Sequence, residues 1–240
     1  MPAARSQPIR ILQVAGSLLG GVGVWLRAAL HHLDRQRFHV DFLVYESYPQ
    51  TLDEEVYALG AGVIRVPMPA QLPAFAYRLR RALRDNGPYD IVHSHLHRFS
   101  GLVLRMARNA GVPKRIAHSH LEIRSEVKNG LLRHLYKGLM NRWLDLYATG
   151  GLAASQAAAA DLFGPHWRAD RRWRVLCCGV DLAPFHSAVN PVEVRAELGI
   201  PVDALVIGHV GAIWEQKNHK FLVEVMAEVS RREPQTYLLL

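Results

Sequence analysis

The sequence has little cysteine, no unbroken apolar run of membrane length, and fewer acidic than basic residues. Each shortage excludes something. The two cysteines, Cys177 and Cys178, are adjacent; neighbours cannot close an unstrained disulfide, and two thiols fall short of a thiolate metal cage. They read as reduced, partly buried thiols of a cytosolic protein. The largely apolar stretch ILQVAGSLLGGVGVWL follows Arg5 and Arg10 in the manner of a signal peptide, but its sixteen residues include four glycines. A membrane span needs about 20 apolar residues, so a strand, a loop and a helix explain this stretch better. Low complexity is confined to the alanine run at 157–160.

Lys and Arg number 29 against 21 Asp and Glu, a formal charge of +8. Ten of the basic residues lie between Arg98 and Trp143, with only Glu122 and Glu126 to oppose them, so this sector holds the whole surplus. Such a sector attracts phosphate-bearing substrates, anionic lipid headgroups or nucleic acid, unless it is simply a solvated face.

What is present is a rhythm. Short β-branched runs near 9–15, 38–45, 63–67, 90–94, 114–119, 150–154, 173–178, 204–211 and 236–240 alternate with longer amphipathic segments. Alternation of this kind predicts an α/β fold with a parallel sheet covered on both faces. The segment LAPFHSAVNP, 182–191, shows no period. It marks an expected boundary between a first domain, 1–185, and a second, 186–240. Two strands and two helices are too little for an independent core, and the apolar ending PQTYLLL would go uncovered. The expectation is a fragment cut inside its second domain.

Three segments carry chemistry. The first is the pair of runs HSHLH and HSH, which set His93 and His95 at the end of one strand and His118 and His120 at the end of the next. Open α/β sheets bind ligands beyond their strand C-termini, so both pairs point at the expected site. A structural zinc would need close geometry and usually thiolates, which argues against metal; single members can equally be ordinary surface or core histidines. The second is VAGSLLGGVGVWL, which puts Gly16, Gly20, Gly21 and Gly23 between strand and helix, where backbone N–H groups favour anions. Its spacing departs from GxGxxG, and only Glu46 offers an acid after the second strand, so a dinucleotide fingerprint is poorly matched. The third is GHVGAIWEQKNHKFL, with Gly211, Lys217 and Asn218 at the mouth of a helix.

In order, GSLLGGVG, YDIVHSHLH, RIAHSH, GLAASQAAAADLFG, CGVDLAPF and GHVGAIWEQKNHKFL resemble the motifs of retaining GT-B glycosyltransferases of the GT4 group, notably those of capsule and exopolysaccharide synthesis. The resemblance implies two Rossmann-like domains, the first on the acceptor side and the second for the nucleotide-sugar, with no required metal or cofactor. It implies that His118 contacts the transferred sugar or acceptor and that Lys217 neutralises the departing diphosphate. Gly20, Gly21, Gly211 and Asn218 would face the donor phosphates, and His93, His95, His120 and Ser155 would line the cleft. Implied partners are a UDP- or GDP-sugar and a carbohydrate or lipid-linked acceptor, with no nucleic acid. The setting would be the cytoplasm, with the basic sector against the anionic inner membrane face. Three positions depart from the pattern: Gly23 replaces a glutamate, Cys178 an asparagine and Ala212 an arginine. The last leaves open a non-catalytic relative that binds glycan or scaffolds a synthesis complex. A nicotinamide dehydrogenase is the third reading.

Overall fold

The computed structural model describes residues 7–48, 52–68, 72–120, 130–211 and 213–240. The chain divides into two compact units, Met1–Asp181 and Leu182–Leu240. The first contains β1 (Ile9–Val14), α1 (Gly21–His31), β2 (Phe38–Val44), α2 (Asp53–Ala58), β3 (Gly62–Arg65), α3 (Leu72–Asn86), β4 (Ile91–Ser94), α4 (Ser100–Asn109), β5 (Lys114–Ser119), α5 (Leu131–Tyr147), β6 (Gly150–Ala153), α6 (Gln156–Phe163) and β7 (Trp173–Val175). Its strands pair in parallel in the order β3-β2-β1-β4-β5-β6-β7. The chain winds outward from β1 to β3, returns across β1, and winds outward again from β4. The winding reverses between β1 and β4, and it is beyond the strand C-termini at such a switch point that open α/β sheets bind ligands.

Period-2 alternation decides what faces what. Leu12 and Val14 of β1 join Phe75 and Leu79 of α3, Leu102 and Val103 of α4, Met140 and Leu144 of α5 and Ala159 of α6 in one core layer. Ile11 and Ala15 turn the other way, to Leu26 and Leu30 of α1 and Val56 of α2. A methyl added at Gly101 would lie 2.3 Å from the Met140 carbonyl oxygen, so α4 and α5 pack backbone to backbone. At the N-terminal edge the buried Asp41 carboxylate accepts from Tyr89 Oη at 2.9 Å, Arg10 Nη2 at 3.2 Å and the Gly62 amide at 3.2 Å, which offsets its desolvation. A cleft of about 650 Å³ lined by Arg10, His39, Tyr89 and Asp90 lies at this edge, away from the strand C-termini.

The second unit contains α7 (Pro191–Glu197), β8 (Leu205–Gly208), α8 (His219–Arg232) and β9 (Thr236–Leu239), with β8 and β9 in parallel. Asn190 caps α7, its side-chain oxygen accepting from the Val192 amide at 3.1 Å, and Pro191 suits the first helical position. Among the described residues no helix is long and apolar enough to cross a membrane.

β7 stops at Val175, short of the expected 178, so Cys177 and Cys178 lie past the sheet and are exposed rather than partly buried. The glycine-rich loop is pinned at both ends. Ser17 Oγ bonds Glu46 and accepts from the Leu19 amide at 2.9 Å, while Arg27 donates to the Leu18 carbonyl and to Glu55 at 3.1 Å. Gly23 packs so tightly under this loop that a Cβ there would sit 2.1 Å from the Leu18 oxygen, whereas Gly21 has nothing within 4 Å. Helix propensity favours alanine over glycine by about 1 kcal/mol at either position, but backbone overlap costs about 1–3 kcal/mol. Gly23→Ala should therefore lower the urea midpoint while Gly21→Ala leaves it equal or higher. The reverse order would contradict this loop packing.

Candidate ligand site at the sheet switch point

Register builds the site. Gln13 of β1 pairs with His93 of β4, which pairs with Ile116 of β5, so these side chains share the face covered by α1. Two residues on, His95 and His118 point the same way, and His120 follows just past the end of β5. The four imidazoles form one packed group: His93 and His118 lie 5.2 Å apart at 3°, His118 and His120 4.1 Å apart at 27°, and His93 and His95 4.3 Å apart at 42°. Trp25 of α1 closes over them, edge-on to His118 at 5.3 Å and 6.0 Å from His95. Beneath it His118 is fully buried, and His93 and His95 are nearly so. His120 keeps partial exposure.

Burial holds all four rings neutral at pH 7. Desolvation, then the neighbouring His120, takes His93 down to about 3; desolvation takes His120 down to about 4. His95 and His118 are depressed by burial and then by their histidine neighbours. A neutral imidazole has one donor and one acceptor nitrogen, which makes the hydrogen-bond chain directional. His95 Nε2 lies 2.8 Å from Gln13 Oε1, an acceptor, so Nε2 carries the proton. His95 Nδ1 is then an acceptor, and His120 Nε2–H donates to it at 2.8 Å. His120 Nδ1 is left as an acceptor at the outer end of the relay. Cys178 Sγ is 3.6 Å from it, and partial shielding of that sulfur, then the adjacent Cys177, raises the thiol pKa, so a protonated S–H faces the nitrogen.

His93 Nε2 and both nitrogens of His118 are buried with no hydrogen-bond partner among the described residues. Each such group costs about 1–3 kcal/mol, and orphaned polar atoms are tolerated chiefly where function requires them. His93, His95 and His118 each offer a nitrogen, all within 4.8 Å of one another. Both nitrogens of His95 are already bonded, to Gln13 and to His120, so a metal held by this trio would have to break the relay through His95.

The remaining expected residues fall as follows. Gly20 is the N-cap of α1 and Gly21 its first residue; no side chain caps that end and both glycines are open above Cα. Ser155 caps α6, its hydroxyl accepting from the Ala158 amide at 3.1 Å, so part of its bonding capacity serves the helix. In the second unit, Lys217 runs along Gly211, its carbons 3.3–3.5 Å from where a Cβ would stand. Asn218 takes a left-handed φ of 48° at the start of α8. Ala212 lies outside the described residues, as do Glu122, Arg124, Glu126 and Lys128 of the basic sector. Arg98 and Arg115 of that sector are used internally, Arg98 on Asp161 at 2.7 Å and Arg115 on the carbonyls of Val112 and Tyr147 at 2.6 and 2.7 Å. Gln13 and Trp25 were not anticipated. A polar side chain between Ile11 and Ala15 on a buried face was the available signal for Gln13; nothing in the spacing marks Trp25.

Residues 19–184 match the family described as Glycosyltransferase Family 4. The Bacillus subtilis (strain 168) protein bearing the name glycosyltransferase EpsF is 33% identical over 231 residues, covering 93% of this chain and 59% of that protein. A D-inositol 3-phosphate glycosyltransferase of Frankia alni is 32% identical over 178 residues, 71% of this chain and 43% of the relative. The chain thus spans about half the length of these relatives. Anabaena HepE in complex with UDP and glucose superposes with a TM-score of 0.72 at 16% identity, covering 96% of this chain and 60% of that one. A Rickettsia africae glycosyltransferase superposes at 0.67 with 16% identity, covering 93% and 58%. These likenesses show the GT-B type of fold. With six motifs, a switch-point site and a match across most of its first unit, the chain belongs to glycosyltransferase family 4.

Proposed function

We propose that the protein transfers a sugar from a nucleotide-sugar, a UDP- or GDP-sugar, to a carbohydrate or lipid-linked acceptor with retention, in cell-surface polysaccharide synthesis. The observation that carries the reading is the relay ending at His120: a neutral, oriented acceptor nitrogen at the sheet switch point, suited to a sugar hydroxyl. The sequence-based expectation gave this contact to His118. Trp25 and the neighbouring rings enclose His118 completely, so in this proposal it backs His120 and the ligand contact passes outward. HepE, of similar fold, was solved with UDP and glucose, which supports a nucleotide-sugar donor.

In this reading the first unit serves the acceptor and the second the donor. Negative charge grows on the departing diphosphate as the glycosidic bond breaks. In the second unit Lys217 supplies a cation, with Gly211 and Asn218 beside it; in the first unit, taken by itself, the uncapped start of α1 at Gly20 and Gly21 offers N–H donors to an anion. The reaction uses no metal ion. His93, His95 and Ser155 line the acceptor side, and the acceptor is presented at the cytoplasmic face of an anionic membrane. A non-catalytic glycan-binding relative is the second reading, favoured by Ala212 in place of an arginine.

Two outcomes are expected. Unfolded imidazoles titrate near 6.5 and the folded four lie below, so between those values the unfolded chain binds more protons. The stabilising contribution is complete above about pH 6.5 and shrinks as pH falls towards 4, by up to about 1.4 kcal/mol per pH unit for each histidine. His93→Gln should flatten the pH dependence of the urea midpoint in that window by one histidine's share; an unchanged slope would contradict the buried neutral state. In donor-consumption assays with and without acceptor, Lys217→Ala should cut kcat by about 10²–10³, as for loss of one preorganised oxyanion donor. His120→Ala should also slow transfer, while a non-catalytic relative would show no turnover in any form. Full wild-type transfer surviving Lys217→Ala would remove that lysine from the mechanism.

A further inference from the structure

Helix α5 is apolar on two sides. Met140 and Leu144 are buried against α4, as the helix period requires. On the outer side Leu131, Leu132, Leu135, Leu139 and Leu146 stand 76, 83, 60, 44 and 59% exposed. At 100° per residue these five fall within one stripe about 100° wide, running along four turns, about 22 Å. Monomeric soluble proteins rarely leave so continuous an apolar strip in water. Cations border it. Arg142 is exposed within the stripe, and Arg105 of α4 lies over the Trp143 ring at 4.3 Å beside it. Near the start of the helix, Arg133, Tyr136 and Lys137 line a pocket of about 210 Å³ together with Leu96, His97, Arg98 and Phe99. Asp145 is the acidic residue of the helix, and it sits towards the far end.

We propose that the outer face of α5 is a membrane-docking surface whose occupant is an anionic phospholipid leaflet, with the leucines entering the headgroup boundary and the flanking cations binding lipid phosphates. A convex ridge of flexible leucines suits a fluid interface, and lysine or arginine beside it completes an interfacial amphipathic helix. The placement joins the surface to the site. α5 follows β5 in the chain and begins at the C-terminal edge of the sheet, the edge that carries His120, so a docked α5 holds that edge against the lipid. The proposal rests on the membrane-presented acceptor put forward above.

The test is sedimentation of the intact protein with phosphatidylcholine vesicles, with and without phosphatidylglycerol, at low and high salt and with no donor or acceptor present. The wild type should bind the anionic vesicles, less at high salt. Leu132→Ser with Leu135→Ser should weaken that binding about tenfold or more, given the apolar burial lost. Arg142→Glu should weaken it and reduce its salt dependence. Leu132→Trp should bind as well as or better than wild type, and Leu198→Ser, an exposed leucine of the second unit, should change nothing. Circular dichroism and urea midpoints confirm that each variant is folded. Equal binding by the double-serine variant would overturn the proposal, as would an oligomer that the same change dissolves, since the ridge would then be a protein interface. If ridge-dependent vesicle binding holds but no sugar reaches a lipid-linked acceptor, the docking surface stands and the acceptor reading falls.

Discussion

The hydrogen bond between His95 and His120 is the contact on which the site depends. It exists because two parallel strands end side by side with histidines on the same face, and it has a direction because burial keeps both rings neutral. Gln13 sets the sense from one strand further in, since a carboxamide oxygen can only accept. A charged ring anywhere in the chain would remove an acceptor and undo the order. Trp25, which excludes water from the inner rings, is therefore as much a part of the site as the histidines that it covers.

The departures from the family pattern fit this arrangement. At Gly23 the close approach of the Leu18 carbonyl leaves no room for the glutamate that the motif usually has. At Cys178 a protonated thiol, a weak donor, faces the acceptor nitrogen of His120 where an asparagine amide is usual.

Much of the first unit was legible because its signal is local. The β-branched runs near 9–15, 38–45 and 114–119 each depend on a few neighbouring residues. The same local reading placed His93 and His95 at the end of one strand and His118 and His120 at the end of the next. It could not rank them. Which ring stays exposed depends on where α1 lays Trp25, a tertiary contact with no sequence spacing. Ser155 shows the reverse case: a serine ahead of AAAADLF is a helix cap by local chemistry, and that reading was available beside the cleft-lining one. The overlong estimate for β7 has a similar cause, since Leu176 prolongs an apolar run that no longer has a strand to pair with after Ala153.

The most direct test of the relay is the protonation state of the imidazole nitrogens, read by long-range proton–nitrogen correlation at pH 7 with and without a nucleotide-sugar. The account predicts four neutral rings, with the proton on Nε2 of both His95 and His120, and a perturbation on ligand addition that is largest at His120 Nδ1. An imidazolium among the four, or a His120 protonated on Nδ1, would contradict it.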